Sequence, residues 1–397
     1  MEDIRIEWLP LPATLAADGG ADYAAAATLE DHALAEVLGH RDFCESAPRR
    51  LERAQPSDYG MQVRCVARGD VDGRILGTAS VWLPLAENTD MAIVDIAVAA
   101  AARRRGIGTR LFREVEAEAA RRGREKLNSW VNYPLPPLPG RESGGLPGGG
   151  AVLPSKGDGA VPEDLPATRF ARALGMDLRQ VERVSRLDVV SSARRVDALA
   201  LEAKRASDGE YDVVGWVGPV PGWAVEGYCR MIEKMDTDTP AGGLEWDQSV
   251  WDEARLRVAE ERASRRDCFT VHSCAVHRGT GQLVAFTALE VARDTPEAAF
   301  QEDTLVLEGH RGHKLGLLVK TANFVRIREA WPTVRRIYTW NAEENAHMLA
   351  INVSMGFRGA QSEGAWEKKT RKNPQNVVAT GDPCTANLDL SADDSVE

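Results

Sequence analysis

Met91-Ala-Ile-Val-Asp-Ile-Ala-Val98, followed by Arg103-Arg-Arg-Gly-Ile-Gly108 and Thr109-Arg-Leu-Phe-Arg-Glu-Val115, is the stretch from which the rest of the chain is read. Ala92, Val94, Ile96 and Val98 alternate at strand spacing. Ile107, Leu111, Val115 and Ala119 then repeat at helical spacing, with Arg and Glu between them. Glycines and arginines at the first turn of a helix that follows a strand make a place for phosphate. The N–H groups there have no helical partner, glycine lets an anion approach them, and the helix dipole favours negative charge. The plainer alternative is an ordinary strand–helix turn with a solvated Arg run.

The arrangement recurs. Arg311-Gly-His-Lys-Leu-Gly316 follows the strand-like Ala298-Ala-Phe-Gln-Glu-Asp-Thr-Leu-Val-Leu307 and opens a helix with Leu315, Leu318, Ala322 and Val325 on one face. Arg103 and Arg311 stand 208 residues apart, about the size of one domain.

Arg103-x-x-Gly106-x-Gly108 resembles the acyl-CoA pyrophosphate loop of the GNAT superfamily of N-acetyltransferases. The second copy resembles it too, with Arg311 and Gly316 in register, although Lys314 stands where the first glycine is expected. Downstream, Ile337-Tyr-Thr-Trp-Asn-Ala-Glu-Glu-Asn345, Met348 and Asn352-Val-Ser-Met-Gly356-Phe357 are similar to the family's fifth strand, following helix and closing Gly-Phe. The resemblance covers most of the chain. It implies an α+β fold: two tandem GNAT-like domains, each a mixed, mostly antiparallel twisted sheet flanked by helices, with the pantetheine arm of acetyl-CoA between splayed fourth and fifth strands. Carried onto this chain, the cofactor residues of the first copy are Ile96, Val98, Arg103, Arg104, Arg105, Gly106, Ile107, Gly108 and Thr109. Those of the second are Leu305, Val306, His310, Arg311, Gly312, His313, Lys314, Leu315, Gly316, Asn341 and Asn345.

Length and composition agree with this class. The chain has 397 residues, which suits two domains, and 43% apolar with 27% charged residues describe a globular protein. No apolar run approaches the roughly 20 residues of a membrane helix. The start, Met1-Glu-Asp-Ile-Arg, has no apolar signal core, and the six scattered cysteines lack metal-ligand spacing. Both point to a cytoplasmic protein with reduced thiols. A net charge of −11 argues against a nucleic-acid partner and is compatible with a cationic amine substrate.

The expected domains are residues 1–190 and 210–369, joined by a polar helical linker over 191–209 and followed by a disordered tail over 370–397. In each, a strand, one or two helices and a hairpin lead to the strand–loop–helix unit. A further strand, helix and closing strand follow, the closing strand of the first copy being expected over Val181–Val190. Pro134 to Pro166 holds the runs Pro-Leu-Pro-Pro-Leu-Pro-Gly and Gly-Gly-Leu-Pro-Gly-Gly-Gly. It reads as a structureless loop inside the first domain, with a substrate lid as the alternative.

The resemblance implies acetyl transfer from acetyl-CoA to an amine, by direct attack in a ternary complex and without a metal. A base must take the ammonium proton, N–H donors must hold the oxyanion, and the thiolate leaves, in the family often protonated by a tyrosine on the last helix. Candidate bases are Asp95 in the first copy and Glu302 or Asp303 in the second. Strand alternation admits only one of the latter pair to the cleft. The usual tyrosine position holds Ala171 in one copy and Asn352 in the other, with Tyr133 a remote substitute. His310 and His313 are read as phosphate donors, as bases, or as residues that cap the helix. Six tryptophans (Trp130, Trp223, Trp246, Trp251, Trp331 and Trp340) are candidates for an acceptor pocket or for core packing. The acceptor is read as a small-molecule amine. The alternatives are a non-catalytic acyl-CoA-binding or regulatory protein and a protein N-acetyltransferase. The first copy has the better phosphate loop and the second the better polar site. Oligomeric state stays open between monomer and homodimer.

Overall fold

The structure, a computed structural model, describes residues 4–70, 72–134, 151–207, 209–238 and 240–370. The first half of the chain runs β1 (Ile4–Leu9), α1 (Gly20–Leu38), α2 (Ala47–Ala54), β2 (Gly60–Gly69), β3 (Ile75–Pro84), β4 (Met91–Val98), α3 (Ile107–Arg121) and β5 (Lys126–Tyr133). A small hairpin, β6 (Val152–Pro154) and β7 (Ala160–Pro162), precedes α4 (Pro166–Ala173) and β8 (Asp177–Asp188). The second half repeats the order: α5 (Val189–Ala206), β9 (Tyr211–Val217), α6 (Val225–Asp238), α7 (Glu253–Arg265), β10 (Cys268–His277), β11 (Leu283–Ala292), β12 (Ala298–Val306), α8 (Leu315–Ala330), β13 (Arg336–Ala342), α9 (Ala346–Met355) and β14 (Arg358–Lys369).

The strands form one 12-stranded sheet in the order β1-β2-β3-β4-β5-β14-β8-β13-β12-β11-β10-β9. Here the structure departs from the sequence expectation. The strand expected to close the first copy forms as β8, but it pairs with β13 of the second half and with β14. The place beside β5 is taken by β14, from the far end of the chain. Each half is therefore closed by the other half's last strand. The physical reason lies in what the strands bury. Leu178 and Val181 of β8 sit in the first-half core, whereas Leu187 of the same strand sits in the second. Trp366, near the end of β14, is buried in the first-half core, whereas Phe357, just before β14, is buried in the second. The expected linker is also part of a core: α5 buries Val196 and Ala203 against the second half and is capped by Asp188, which accepts from the Ser191 N–H at 2.8 Å.

The proline- and glycine-rich stretch divides. Residues 135–150, and the expected tail from residue 371 on, lie outside the described residues. Residues 151–166, expected to be structureless, instead carry the β6–β7 hairpin. Val161 is fully buried in the first-half core, and the Lys156 and Gly157 N–H groups donate to Leu178 and Arg179 carbonyls of β8. Three apolar residues in a row, Ala160, Val161 and Pro162, outweigh the loop composition around them.

Two splits in the sheet matter for function. β4 and β5 run parallel over Met91–Ile93 and then diverge. β12 and β13 pair from Ala298 to Gln301 and then diverge. Each divergence leaves a V-shaped slot beside a strand–loop–helix turn.

Candidate active site

The two turns share one backbone plan. Arg104 and Gly106 take left-handed φ of 64° and 81° in the first, and Gly312 and Lys314 take φ of 90° and 54° at the equivalent positions in the second. Each copy thus supplies one glycine and one strained cation to the same two left-handed positions. Neither following helix has a side-chain cap, so its first N–H groups face an open concavity that suits an anion. Arg103 and Arg311 close the turns rather than face them. The Arg103 Nε donates to the Val98 carbonyl at 3.0 Å and its two terminal nitrogens to Glu36 at 2.7 Å. Arg311 repeats this with the Val306 carbonyl and Asp238. Lys314 is ion-paired to Glu202, and Thr109 stands half-buried in the first turn of α3. Leu305, Ile107 and Leu315 are core residues, and Ile96, Val98 and Val306 pack against the cores from the slot strands.

The histidines do not share the anion site equally. His310 Nδ1 is 3.1 Å from the Tyr211 hydroxyl, and its ring lies 5.2 Å from that of His277. His313 packs against Tyr211 with ring centroids 5.5 Å apart. Burial, together with His277 and His313, pushes the His310 pKa down, so His310 favours its neutral form.

The two slots differ by one residue. In the first half β3 and β4 pair without interruption from Gly77–Val98 to Trp82–Ile93. In the second half Thr287 faces Thr304 and Leu289 faces Gln301, so Ala288 alone opposes both Glu302 and Asp303. This is a β-bulge, and Gln301 pins it. Its Nε2 donates to the Ala288 carbonyl at 2.6 Å and to the Thr287 hydroxyl at 2.9 Å, and Thr287 and Thr304 hydroxyls meet at 2.7 Å. The bulge overturns the expectation that alternation admits only one acid, since both Glu302 and Asp303 line the same cavity.

That cavity, of about 530 Å³, passes along the β12–β13 slot. Lys320, Thr304, Thr339 and Asn341 line its slot side, and Trp130, Trp246, Trp340, Asp236 and Glu182 its outer side. Glu302 and Asp303 are open to the cavity, with protein packed close around it. Enclosure, helped by the charges of Glu290 and Asp303, pushes Glu302 up to about 8. Asp303 is raised by the same crowding of protein around the cavity and by Asp236. A second cavity of about 660 Å³ occupies the first-half slot, where Asp95, Glu363 and Phe170 line it. Trp130, Glu302 and Trp340 line both cavities, so the two clefts meet at these residues. Glu182 and Glu363 face each other across the exchanged strands. Burial raises both, Glu182 to about 7 and Glu363 to about 8, with carboxylate neighbours adding to it. Asp95 is open to the first-half cavity, and the protein crowded around that cavity, with Glu30, raises it.

Of the family-type asparagines, Asn341 accepts from Asn352 Nδ2 at 2.6 Å, and Asn345 caps α9 by accepting from the Met348 N–H. Tyr133 is no substitute acid for the first slot. Its hydroxyl is 1% exposed within the core and is held by Trp366 Nε1 at 3.2 Å and the Thr168 hydroxyl at 3.4 Å. Among the tryptophans Trp223 and, at the cavity's outer side, Trp246 are solvent-exposed. Sequence reading missed Lys320, Gln301, Glu182 and Glu363. Aligning the two copies would have revealed the first two: Lys320 falls where the first copy has Phe112, and the spacing between copies changes by one residue at the bulge. No group of side chains able to hold a metal occurs among the described residues, and no helix among them is long and apolar enough to cross a membrane.

Comparison with known proteins bears on the fold that holds these turns. Residues 34–135 match the model of the acetyltransferase (GNAT) family. A tandem GNAT protein from the clavulanic acid biosynthesis pathway, solved without AcCoA, is 26% identical over 92% of this chain and 98% of its own, with a TM-score of 0.66. A GCN5-related N-acetyltransferase from Sphaerobacter thermophilus shares the fold at 15% identity, covering 93% of this chain and 96% of its own, with a TM-score of 0.58. No curated protein matches the chain in sequence.

Proposed function

The chain belongs to the GNAT superfamily and carries two tandem copies of its fold, and from this premise we propose that it is an acetyl-CoA-dependent N-acetyltransferase acting on a small cationic amine, with the chemistry in the second half. The observation that carries this reading is the bulged β12, which turns Glu302 and Asp303 together into the slot cavity. The first half supports rather than catalyses: its β4 is unbulged, Ala171 stands at the usual acid position, and Tyr133 is locked in the core.

In the proposed reaction the pyrophosphate rests on the α8 turn and the thioester lies in the β12–β13 slot. The acceptor ammonium enters between Trp130, Trp246 and Trp340, where carboxylates and ring faces both attract a cation. The Glu302–Asp303 pair titrates as a unit. Near neutral pH it retains one proton, and its ionised member accepts the proton of the ammonium. The amine then attacks the thioester carbonyl. Backbone N–H groups freed from the ladder by the bulge are positioned to meet the oxyanion. The carbon–sulfur bond breaks and coenzyme A leaves as its thiol. The reaction is assigned to the cytoplasm, where the five free cysteines among the described residues stay reduced.

The test is release of free thiol from acetyl-CoA by the full chain, with spermidine, an aminoglycoside, a neutral alkylamine and a lysine peptide as acceptors. Turnover of a small cation, reduced about 10²-fold or more by Glu302→Gln with Asp303→Asn, is the expected result. Binding of acetyl-CoA with no transfer to any acceptor would instead favour the non-catalytic reading. Turnover of the peptide alone would favour a protein acetyltransferase.

A further inference from the structure

Lys320 is a buried cation in the slot for which the fold supplies no hydrogen-bond or ion-pair partner among the described residues. It lies on α8, 2% exposed, with its side chain lining the cavity. Among the described residues no hydrogen bond or ion pair holds it, and its Nζ lies 5.8 Å from the centroid of the Phe357 ring. The titratable groups that share its cavity are Glu182 on β8, Asp236 on α6, and Glu302 and Asp303 on β12, and none forms an ion pair with it. A buried amine without a partner costs stability. The equivalent residue of the first half, Phe112, fills the same place on α3 with an apolar ring. The packing therefore accepts a hydrocarbon there, and a lysine is retained at a cost that points to a ligand.

The ligand chemistry follows from what else is missing. Asn352 occupies the usual position of the thiolate's acid and cannot donate an acidic proton. We propose that Lys320 is the group that meets the coenzyme A sulfur in the second slot, pairing with the thiolate as it leaves and handing it a proton. As the carbon–sulfur bond breaks, its electron pair stays on sulfur and one ammonium proton moves to that sulfur; the neutral amine is reprotonated by the second proton that the acceptor nitrogen sheds as the amide forms, while the first leaves the carboxyl pair to bulk water. Burial pushes the Lys320 ammonium down to about 7, close to what a donor to a thiolate needs. This inference rests on the acetyl-CoA reading of the slot.

The experiment uses coenzyme A itself and needs no acceptor. The thiolate of bound coenzyme A is followed by its ultraviolet absorbance across pH, in the full chain and in Lys320→Phe, with binding measured by calorimetry on the same samples. Lys320 predicts a bound thiol that titrates at least about one unit below the ordinary thiol value near 8.5, and loss of that shift in Lys320→Phe. Lys320→Arg, which keeps a cation but cannot give up a proton at these pH values, should keep the thiol shift and lose turnover. Coenzyme A that binds with the same thiol pKa in all three proteins overturns the role of Lys320 and leaves the cofactor slot standing. Coenzyme A that fails to bind the unmodified chain overturns both.

Discussion

Trp366 tests the strand exchange most sharply. It belongs to β14, within the last described residues of the chain, yet it is 1% exposed in the core of the first half. Its indole N–H is bonded to Tyr133, and Leu178 lies against the same patch of sheet. Trp366→Ala removes one of the largest fully buried side chains and leaves the Tyr133 hydroxyl with Thr168 alone. Large-to-small changes of this kind cost about 3–5 kcal/mol, cavity included. The loss should fall on the first half, and because β8 and β14 tie both cores together, the chain should still unfold as one unit. Denaturant unfolding measures the loss, and hydrogen exchange with mass spectrometry locates it. The expected pattern is reduced protection in β4, α3 and β5, more than 200 residues from the substitution in sequence. A loss of protection confined to the second half, with β4 and α3 unchanged, would refute the exchanged-strand arrangement.

Other consequences follow from the same contacts. Glu363 is raised by burial to about 8, so it is protonated in the fold over a range where the unfolded chain is ionised. The stability it allows is complete below the ordinary carboxyl pKa and is lost as pH rises toward 8; Glu363→Gln should flatten that fall and stabilise the protein by about 1–3 kcal/mol at pH 8 in thermal or urea unfolding. Lys320 is depressed to about 7, so its burial is most costly below that pH. Lys320→Phe should raise stability by about 2–4 kcal/mol at pH 6 and by little at pH 10, as measured by urea unfolding. Lys314 holds a left-handed φ of 54° and an exposed ion pair, so Lys314→Gly should stabilise by about 0.5–1 kcal/mol in the same assay.

Local signals were legible in the sequence wherever a short segment carries its own period. The β4–turn–α3 unit, its copy at β12–turn–α8 and the helix ending at Gly356-Phe357 all form where alternation and helical spacing predict them. Partner choice was not legible. β8 and β14 are equivalent strands with similar patterns, and nothing local tells either one which fifth strand to pair with. The bulge was half-legible, because an inserted residue shows only when the two copies are compared with each other. Pooled composition hid the hairpin at 152–162, whose buried residues are few. The residues of the phosphate turns were legible as a group but not in their duties. Arg103 and Arg311, expected on the cofactor, close the turns through strand carbonyls and helix carboxylates instead.

The proposal that the second slot takes acetyl-CoA and does the chemistry separates the two halves at one glycine each. Gly316 stands at the first turn of α8, with ordinary room for a Cβ against Ile351 and Val306, so Gly316→Glu keeps the fold while setting a carboxylate where pyrophosphate would rest. Gly108→Glu does the same at the equivalent place in α3, where Phe170 must shift slightly. Calorimetric titration of acetyl-CoA into the full chain and into each variant is the direct measurement. The expected result is binding by the unmodified chain that Gly316→Glu abolishes, together with loss of thiol release. Binding abolished by Gly108→Glu and untouched by Gly316→Glu, or no binding by the unmodified chain, would contradict it.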